Sequence, residues 1–138
     1  MAIIDMQTMR HINLLDRVAN VKTHHCFNYN NNIVFVVPEE FVSRAIGRNA
    51  ENLKIMQNTL GKRARIVRAP NGIGDAERFL KELISPGEFK SLEIIDGEMI
   101  ITAGSMQNKA GLLGREKKRL EELKIVVSSM FNTHVKVI

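Results

Sequence analysis

The chain contains one cysteine, Cys26, one tyrosine and no tryptophan among its 138 residues. A single thiol excludes an internal disulfide, which fits a reducing cytoplasm. With so few aromatic side chains, a strand-borne platform on which bases stack is not expected. No run approaches the roughly 20 apolar residues that a membrane span needs, and the mixed N-terminus does not resemble a secretory signal. The sequence therefore predicts a cytoplasmic protein with no membrane partner.

Sequence motifs for catalysis and for metal binding are also missing. There is no Gly-x-x-x-x-Gly-Lys-Ser/Thr loop, no Gly-x-Ser-x-Gly elbow and no His-Glu-x-x-His. His24 and His25 precede Cys26, but neighbouring residues of a strand point to opposite faces, and no further ligands stand at zinc-site spacing. We therefore expect a protein that is not an enzyme, with no catalytic residue, no metal, no cofactor and no small-molecule substrate.

The composition fits a folded protein with a preference for anionic partners. Apolar residues make up 44% of the chain, which is enough to form a core. Lysine and arginine number 20 against 15 acidic residues, so the net charge is +5. This balance mildly favours a polyanionic partner.

The chain carries an internal repeat. Gly47-Arg48 in the first half corresponds to Gly114-Arg115 in the second, at an offset of 114 − 47 = 67 residues. The same offset relates three pairs of apolar residues: Leu53 and Leu120, Met56 and Leu123, Leu60 and Val127. Their i, i+3, i+7 spacing is typical of the buried face of a helix. The sequence thus predicts the same helix after each glycine.

The flanks of the two glycines predict the same order of elements in each half. Hairpins are expected at Cys26–Val37, around Asn30–Asn32, and at Leu92–Thr102, around Asp96-Gly97. A leading helix precedes each hairpin, capped by Asp5 or Asp75. The first helix is predicted to bury Met6, Met9, Ile12 and Leu15, and the second to bury Phe79, Leu80 and Leu83. The final strands, Ala64–Val67 and His134–Ile138, are each reached through a helical crossover, which predicts parallel pairing.

These elements predict an α+β fold of two tandem modules, residues 1–69 and 70–138. The boundary is placed at Ala69–Gly72, where proline and glycine interrupt the pattern. Each module is expected to be a three-stranded mixed sheet with helices on one face, the other face being left to solvent or to the partner module.

Each glycine turn has the properties of an anion site. Glycine permits a sharp turn and a close approach of another chain, and the helix that follows offers unpaired N–H groups and the positive end of its dipole. Such a helix start suits a phosphate, and Arg48 or Arg115 adds a cation. A glycine that only ends the preceding helix would explain one turn, but two turns in matching places favour a shared function.

The order of elements resembles a type II K-homology (KH) domain, and the whole chain resembles the archaeal NusA-like transcription termination and antitermination proteins, which are built from two such domains. The residues that carry the resemblance are Val36–Glu40 leading into Arg44–Leu53, with the counterpart Asn108–Leu120. The resemblance implies binding of single-stranded RNA and a role in transcription elongation, termination or antitermination beside RNA polymerase.

The sequence departs from the KH pattern in the loop itself. KH domains clamp about four nucleotides with Gly-x-x-Gly, whereas the matching tetrads here are Gly47-Arg48-Asn49-Ala50 and Gly114-Arg115-Glu116-Lys117. Alanine adds only a methyl group, so the first loop is expected to keep more of the usual binding mode than the second. A literal Gly-x-x-Gly occurs at Gly111–Gly114, one helix too early, and we interpret Gly111 as a helix-packing residue.

The predicted RNA-binding residues are those of the two turns and the basic start of the second helix: Gly47, Arg48, Asn49, Ala50, Gly114, Arg115, Glu116, Lys117, Lys118 and Arg119. Val42, Ile46 and Leu53 are candidates for the lining of a base groove, or are simply core. A second basic patch follows the first repeat helix, at Lys62, Arg63, Arg65 and Arg68. It either extends the positively charged surface for RNA or is ordinary solubilising charge.

Two other function classes stay open. Two short helices joined at a glycine also resemble a DNA-binding helix-turn-helix. Because both second glycines are missing, degenerate KH modules that dock on protein without binding RNA are the other alternative. The preferred RNA sequence, the direction of the effect on transcription, simultaneous binding by both modules and the oligomeric state do not follow from the sequence.

Overall fold

The structure, a computed structural model, describes residues 5–138, which form two compact units, 5–69 and 70–138. The first unit contains α1 (Met6–Ala19), β1 (His25–Tyr29), β2 (Asn32–Val37), α2 (Val42–Ile46), α3 (Glu51–Leu60) and β3 (Arg63–Arg68). The second contains α4 (Ala76–Ile84), β4 (Ser91–Ile95), β5 (Glu98–Thr102), α5 (Met106–Leu113), α6 (Lys118–Phe131) and β6 (His134–Val137). Short 3-10 turns precede α2, α3, α4 and α6. The α+β class is confirmed.

Each unit contains a three-stranded mixed sheet. The order is β1-β2-β3 in the first and β4-β5-β6 in the second. β1 pairs antiparallel with β2, and β3 pairs parallel with β2, with Phe35 opposite Cys26 on one side and Ile66 on the other. β5 is paired in the same way between β4 and β6. The parallel pairing predicted from the helical crossovers is therefore confirmed.

Left-handed residues form both hairpin turns. Asn30 and Asn31 have φ of 51° and 62°, and Asp96 and Gly97 have φ of 51° and 75°. A two-residue hairpin loop with two positive φ values matches the right-handed twist of the strands, and Asn, Asp and Gly are the residues that adopt it readily. The first turn is one residue shorter than predicted, because Asn32 belongs to β2.

The core of the first unit lies between its helices and β2. Ile33, Phe35 and Val37 point to this side and pack with Leu15 of α1 and Met56 of α3. Val34 and Val36 point to the other face and are also buried.

The second unit repeats this arrangement of buried residues. Phe79, Leu80 and Leu83 of α4 are fully buried, as predicted, and so are Leu123 and Val127 of α6. The rings of Phe79 and Phe131 meet edge to face with their centroids 5.8 Å apart.

The prediction of which residues α1 buries was wrong for the first part of the helix. Met6 and Met9 are exposed, whereas His11, Leu14, Leu15 and Ala19 are buried. With 3.6 residues per turn, the two methionines lie across the helix from the stripe centred on His11 and Leu15. Hydrophobicity favours methionine over histidine for a core position, so this pattern does not reveal a buried histidine.

The two predicted helix caps differ in what the carboxylate binds. Asp5 Oδ1 accepts a hydrogen bond of 2.7 Å from the Thr8 amide, as expected of an N-cap. Asp75 also occupies the N-cap position, but its carboxylate accepts from the Asn71 amide at 3.0 Å and pairs with Arg78. It therefore ties the preceding turn to α4.

The burial of His11 makes the stability of the protein depend on pH. Desolvation, followed by the charge of Lys62, lowers the pKa of His11, which Asp5 partly opposes. Desolvation, followed by His24, lowers the pKa of His25. Since these histidines bind protons more weakly in the folded state, the free energy of unfolding rises with pH between the folded pKa values and the unfolded value near 6.5.

We predict that His11→Leu reduces this dependence between about pH 5 and 7.5, the range around the unfolded histidine pKa, and leaves the part that His25 contributes. Urea unfolding at a series of pH values measures it, with His134→Gln at an exposed position of the second unit as the control. If His11→Leu lost as much stability on acidification as the wild type, His11 would not be responsible.

Candidate nucleic-acid interface

Gly47 and Gly114 have a backbone conformation that side chains do not tolerate. Their φ and ψ are 82° and 169°, and 72° and 178°, a region that is essentially restricted to glycine. Each glycine ends the first helix of its pair, because its amide donates to the carbonyl of Ser43 or Ala110 at 2.9 Å. Both glycines are partly exposed rather than covered by the core.

The third and fourth residues of each tetrad are left-handed in both units. Asn49 and Ala50 have φ/ψ of 55°/33° and 58°/28°. Glu116 and Lys117 have 54°/29° and 60°/21°. The two turns therefore agree within 10°, although the side chains differ. The fourth residue of each tetrad holds the positive φ that a second glycine would adopt without strain.

The second helix of each pair begins without a side-chain cap. Ala50 and Lys117 occupy the N-cap positions of α3 and α6, and neither provides a capping side chain. By contrast α1 and α5 are capped, the latter by Ser105 Oγ, which accepts from the Asn108 amide at 3.0 Å. The amides of Ala50 and Lys117 close the turns by donating to the glycine carbonyls at 3.2 Å. The amides further along the first turn of each helix have no intrahelical partner, so these two helix starts suit an anion.

The side chains at the turns are accessible to a ligand. Arg48, Asn49 and the range 115–118 are exposed. Within residues 5–138, Arg48, Arg115, Lys117 and Lys118 form no ion pair. These cations are therefore available to an external phosphate.

The two turns differ in charge. In the first, Arg48 is offset by Glu51, while Arg115, Lys117 and Lys118 of the second outnumber Glu116. The second turn thus has the stronger positive charge, although its left-handed Lys117 departs further from glycine. Charge and backbone therefore favour different turns as the stronger anion site.

Arg119 and Asn52 hold the helix pairs together. Arg119 Nη1 donates to the carbonyl of Gly111 at 3.0 Å, and Asn52 Nδ2 donates to the carbonyl of Arg44 at 3.0 Å. Arg119 is among the residues predicted to bind RNA, whereas Asn52 is not. Only the repeat offset could have indicated Asn52, as the counterpart of Arg119.

The interpretation of Gly111 as a helix-packing residue was wrong. It is exposed, and a Cβ built on it would meet no atom within 4 Å. Its carbonyl, rather than its lack of a side chain, contacts the next helix.

Some of the base-groove candidates and one residue of the second basic patch contact other residues of the first unit. Val42 and Leu53 pack against the core of the first unit and are only half-buried, as is Ile46. On the edge strand β3, Arg68 pairs with Glu39 at 3.0 Å, which fits the interpretation of this patch as surface charge.

Other candidate sites lie away from the predicted residues. A groove of about 590 Å³ in the second unit runs between α6 and β6, lined among others by Glu121, Ile125 and His134, and includes none of the residues 114–119. No group of three metal-ligating side chains is found in residues 5–138, nor a helix long and apolar enough to cross a bilayer. Cys26 is a small buried residue of the first unit's core, and burial raises the pKa of its thiol to about 12.

Substitutions at the first and fourth residues of a turn should change the free energy of unfolding in opposite directions. Ala50→Gly removes the left-handed penalty of alanine, which exceeds the added entropy of the unfolded chain, and should raise the free energy of unfolding by about 0.5–1 kcal/mol. Gly47→Ala should lower it by about 2 kcal/mol or more, because its Cβ would lie 2.8 Å from Asn52 Cγ. Chemical denaturation measures both, and a loss of stability in Ala50→Gly would contradict the assignment of strain.

No family model matches the chain. It is 26% identical over 131 residues to a protein of Methanocaldococcus jannaschii described as a probable transcription termination protein NusA, over 92% of this chain and 70% of that protein. It also resembles the crystal structure of APE1850, with a TM-score of 0.67 and 25% identity over 98% of this chain and 100% of that one. The two three-stranded mixed sheets are consistent with a KH-like fold, and the chain is distantly similar to a probable NusA protein.

Proposed function

We propose that this protein binds single-stranded RNA through its two glycine turns and acts in transcription as a NusA-like factor. The observation that carries the proposal is the match between the turns: two sequences with different side chains adopt one strained backbone, exposed at an uncapped helix start. Strain that persists in both copies of a repeat is typical of a functional site.

The backbone of each turn can hold a phosphate. Left-handed Ala50 is followed by right-handed Glu51, with φ and ψ of −60° and −47°, and Lys117 is followed in the same way by Lys118. The amides of these four residues already donate to backbone carbonyls within the turns. The next amides, in the first turns of α3 and α6, have no partner within their helix and are the ones that a phosphate can bind. The positive end of the helix dipole adds to the attraction. The phosphates of an RNA strand are the ligand that this geometry favours.

A non-enzymatic role fits the same residues. Backbone amides and arginines bind and orient a phosphodiester, but the turns offer no nucleophile and base within one site. Similarity to a probable NusA supports RNA polymerase as the partner and the cytoplasm as the location. Each unit would then be one KH domain, with residues 1–69 and 70–138 as the two modules.

A carboxylate in the first turn should weaken RNA binding. Asn49 is exposed and left-handed, a conformation that aspartate also tolerates, so Asn49→Asp adds one charge without a change of shape. Loss of a charged hydrogen-bonding site is worth about 1.5–3 kcal/mol, or at least tenfold in affinity. We expect about this loss in a titration with a short single-stranded RNA.

Asn58→Asp provides the matched control, because Asn58 is exposed on the same helix, α3, away from its start. It should change the affinity less than about twofold, since exposed charges at a distance are screened. If both variants lost the same RNA affinity, the effect would come from net charge and not from a contact at the first turn. Equal affinity for duplex DNA would favour the helix-turn-helix alternative, and retention on RNA polymerase without binding of either nucleic acid would favour a protein adaptor.

The charge of the second turn should dominate the salt dependence. Each phosphate contact to a single strand contributes about 0.7 to the slope of log affinity against log salt. The combined change of Arg115, Lys117 and Lys118 to glutamine should therefore lower the slope by about 2, and Arg48→Gln by about 0.7. Lys22→Gln, at an exposed residue outside the turns, serves as the control. A slope unchanged by the triple substitution would exclude the second turn from RNA contact.

A further inference from the structure

We infer that Asn52 and Arg119 are equivalent positioning residues that hold the two glycine turns in the conformation that binds phosphate. This inference rests on the proposed function for its consequence in RNA binding, but the contacts that carry it are independent of any ligand.

The two residues occupy the same place in the repeat. The offset 119 − 52 = 67 equals the offset of the glycines, and that of their acceptors, 111 − 44 = 67. Asn52 Nδ2 donates to the carbonyl of Arg44, and Arg119 Nη1 donates to the carbonyl of Gly111, each at 3.0 Å. Two chemically different side chains therefore form the same contact, which points to the contact itself as the requirement.

The contact joins the end of one helix to the start of the next. Arg44 and Gly111 lie in the last turns of α2 and α5, whose carbonyls have no partner within the helix. Asn52 and Arg119 lie in the first turns of α3 and α6. A donor placed there satisfies an exposed carbonyl and fixes the angle between the two helices, which sets the direction of the amides between them.

The same residues explain why each turn needs glycine. A Cβ at Gly47 would lie 2.8 Å from Asn52 Cγ and 2.9 Å from its amide nitrogen. A Cβ at Gly114 would lie 2.6 Å from Arg119 Cβ and 3.0 Å from its amide nitrogen. The residue five positions later thus fills the space that a side chain at the glycine would need. The hydrogen bond keeps the second helix in this position.

This role separates Arg119 from the other cations of the second turn. Its guanidinium spans back to α5, where positive charge is also favoured by the helix dipole. Arg115, Lys117 and Lys118 then remain as the phosphate-facing cations. Arg119 acts on RNA through the turn and not by direct contact.

The test uses variants that lose the hydrogen-bond donor and variants in which each position carries the residue found in the other unit. Asn52→Leu and Arg119→Met remove the hydrogen bond with little change in size, while Asn52→Arg and Arg119→Asn borrow the side chain of the other unit. Asn58→Leu, the same change at an exposed position of α3, is the control. Hydrogen exchange without RNA is followed at the Gly47 and Ala50 amides, and at the Gly114 and Lys117 amides, which close the two turns.

We expect Asn52→Leu and Arg119→Met to speed exchange at the amides of their own turn by about tenfold, the effect of one lost hydrogen bond, with sheet amides such as that of Phe35 unchanged. The swapped variants and Asn58→Leu should retain wild-type rates. Unchanged exchange in both donor-loss variants would overturn the inference, and so would failure of both swaps to protect the turn.

An RNA titration of the same variants distinguishes this inference from the proposed function. Weaker binding by the donor-loss variants, restored by the swaps, supports both. Faster exchange in a protein whose wild type binds no RNA supports the positioning role and rejects the proposed function. Faster exchange with undiminished RNA affinity overturns the role of these residues in binding.

Discussion

The close approach of α3 to Gly47, and of α6 to Gly114, constrains each helix pair. No side chain fits between glycine and the following helix, and the backbone at these two positions takes a conformation that only glycine adopts without strain. Two left-handed residues then lead into the next helix in both units. The turns formed under this constraint are exposed and lead into helix starts without a side-chain cap.

The mixed sheets give both turns the same setting. In each unit the helix pair forms the crossover between a central strand and a parallel edge strand, and crossovers of this kind are right-handed almost without exception. Phe35 of the first central strand packs with residues of the helices, and Ile101 of the second central strand is equally buried. The two turns therefore have the same backbone conformation, although the charges of their side chains differ.

Local patterns were sufficient to predict much of this fold. The Asn-Asn and Asp-Gly turns and the apolar spacing after each glycine depend on interactions between near neighbours, which the sequence displays directly. The predictions failed where a residue's environment is set by tertiary contacts. Met6 and Met9 are as apolar as a core requires, but the buried stripe of α1 runs through His11.

The candidate site followed the same rule. The glycines and arginines of the turns could be found from the repeat, whereas the partners of Asn52, Arg119 and Asp75 could not, because an amide, a guanidinium or a carboxylate has many possible partners and only the packed helices select one. Gly111 shows the converse error, in which a small residue was assigned a packing role at an exposed position.

The lone thiol has a practical consequence for experiments on this protein. Cys26 is buried at 8% exposure in the first sheet, and its raised pKa of about 12 keeps it protonated at neutral pH. A maleimide can therefore reach it only when residues 5–69 open. The rate of alkylation reports local unfolding of that half alone, while the cysteine-free residues 70–138 stay silent, so the chain carries its own selective chemical probe.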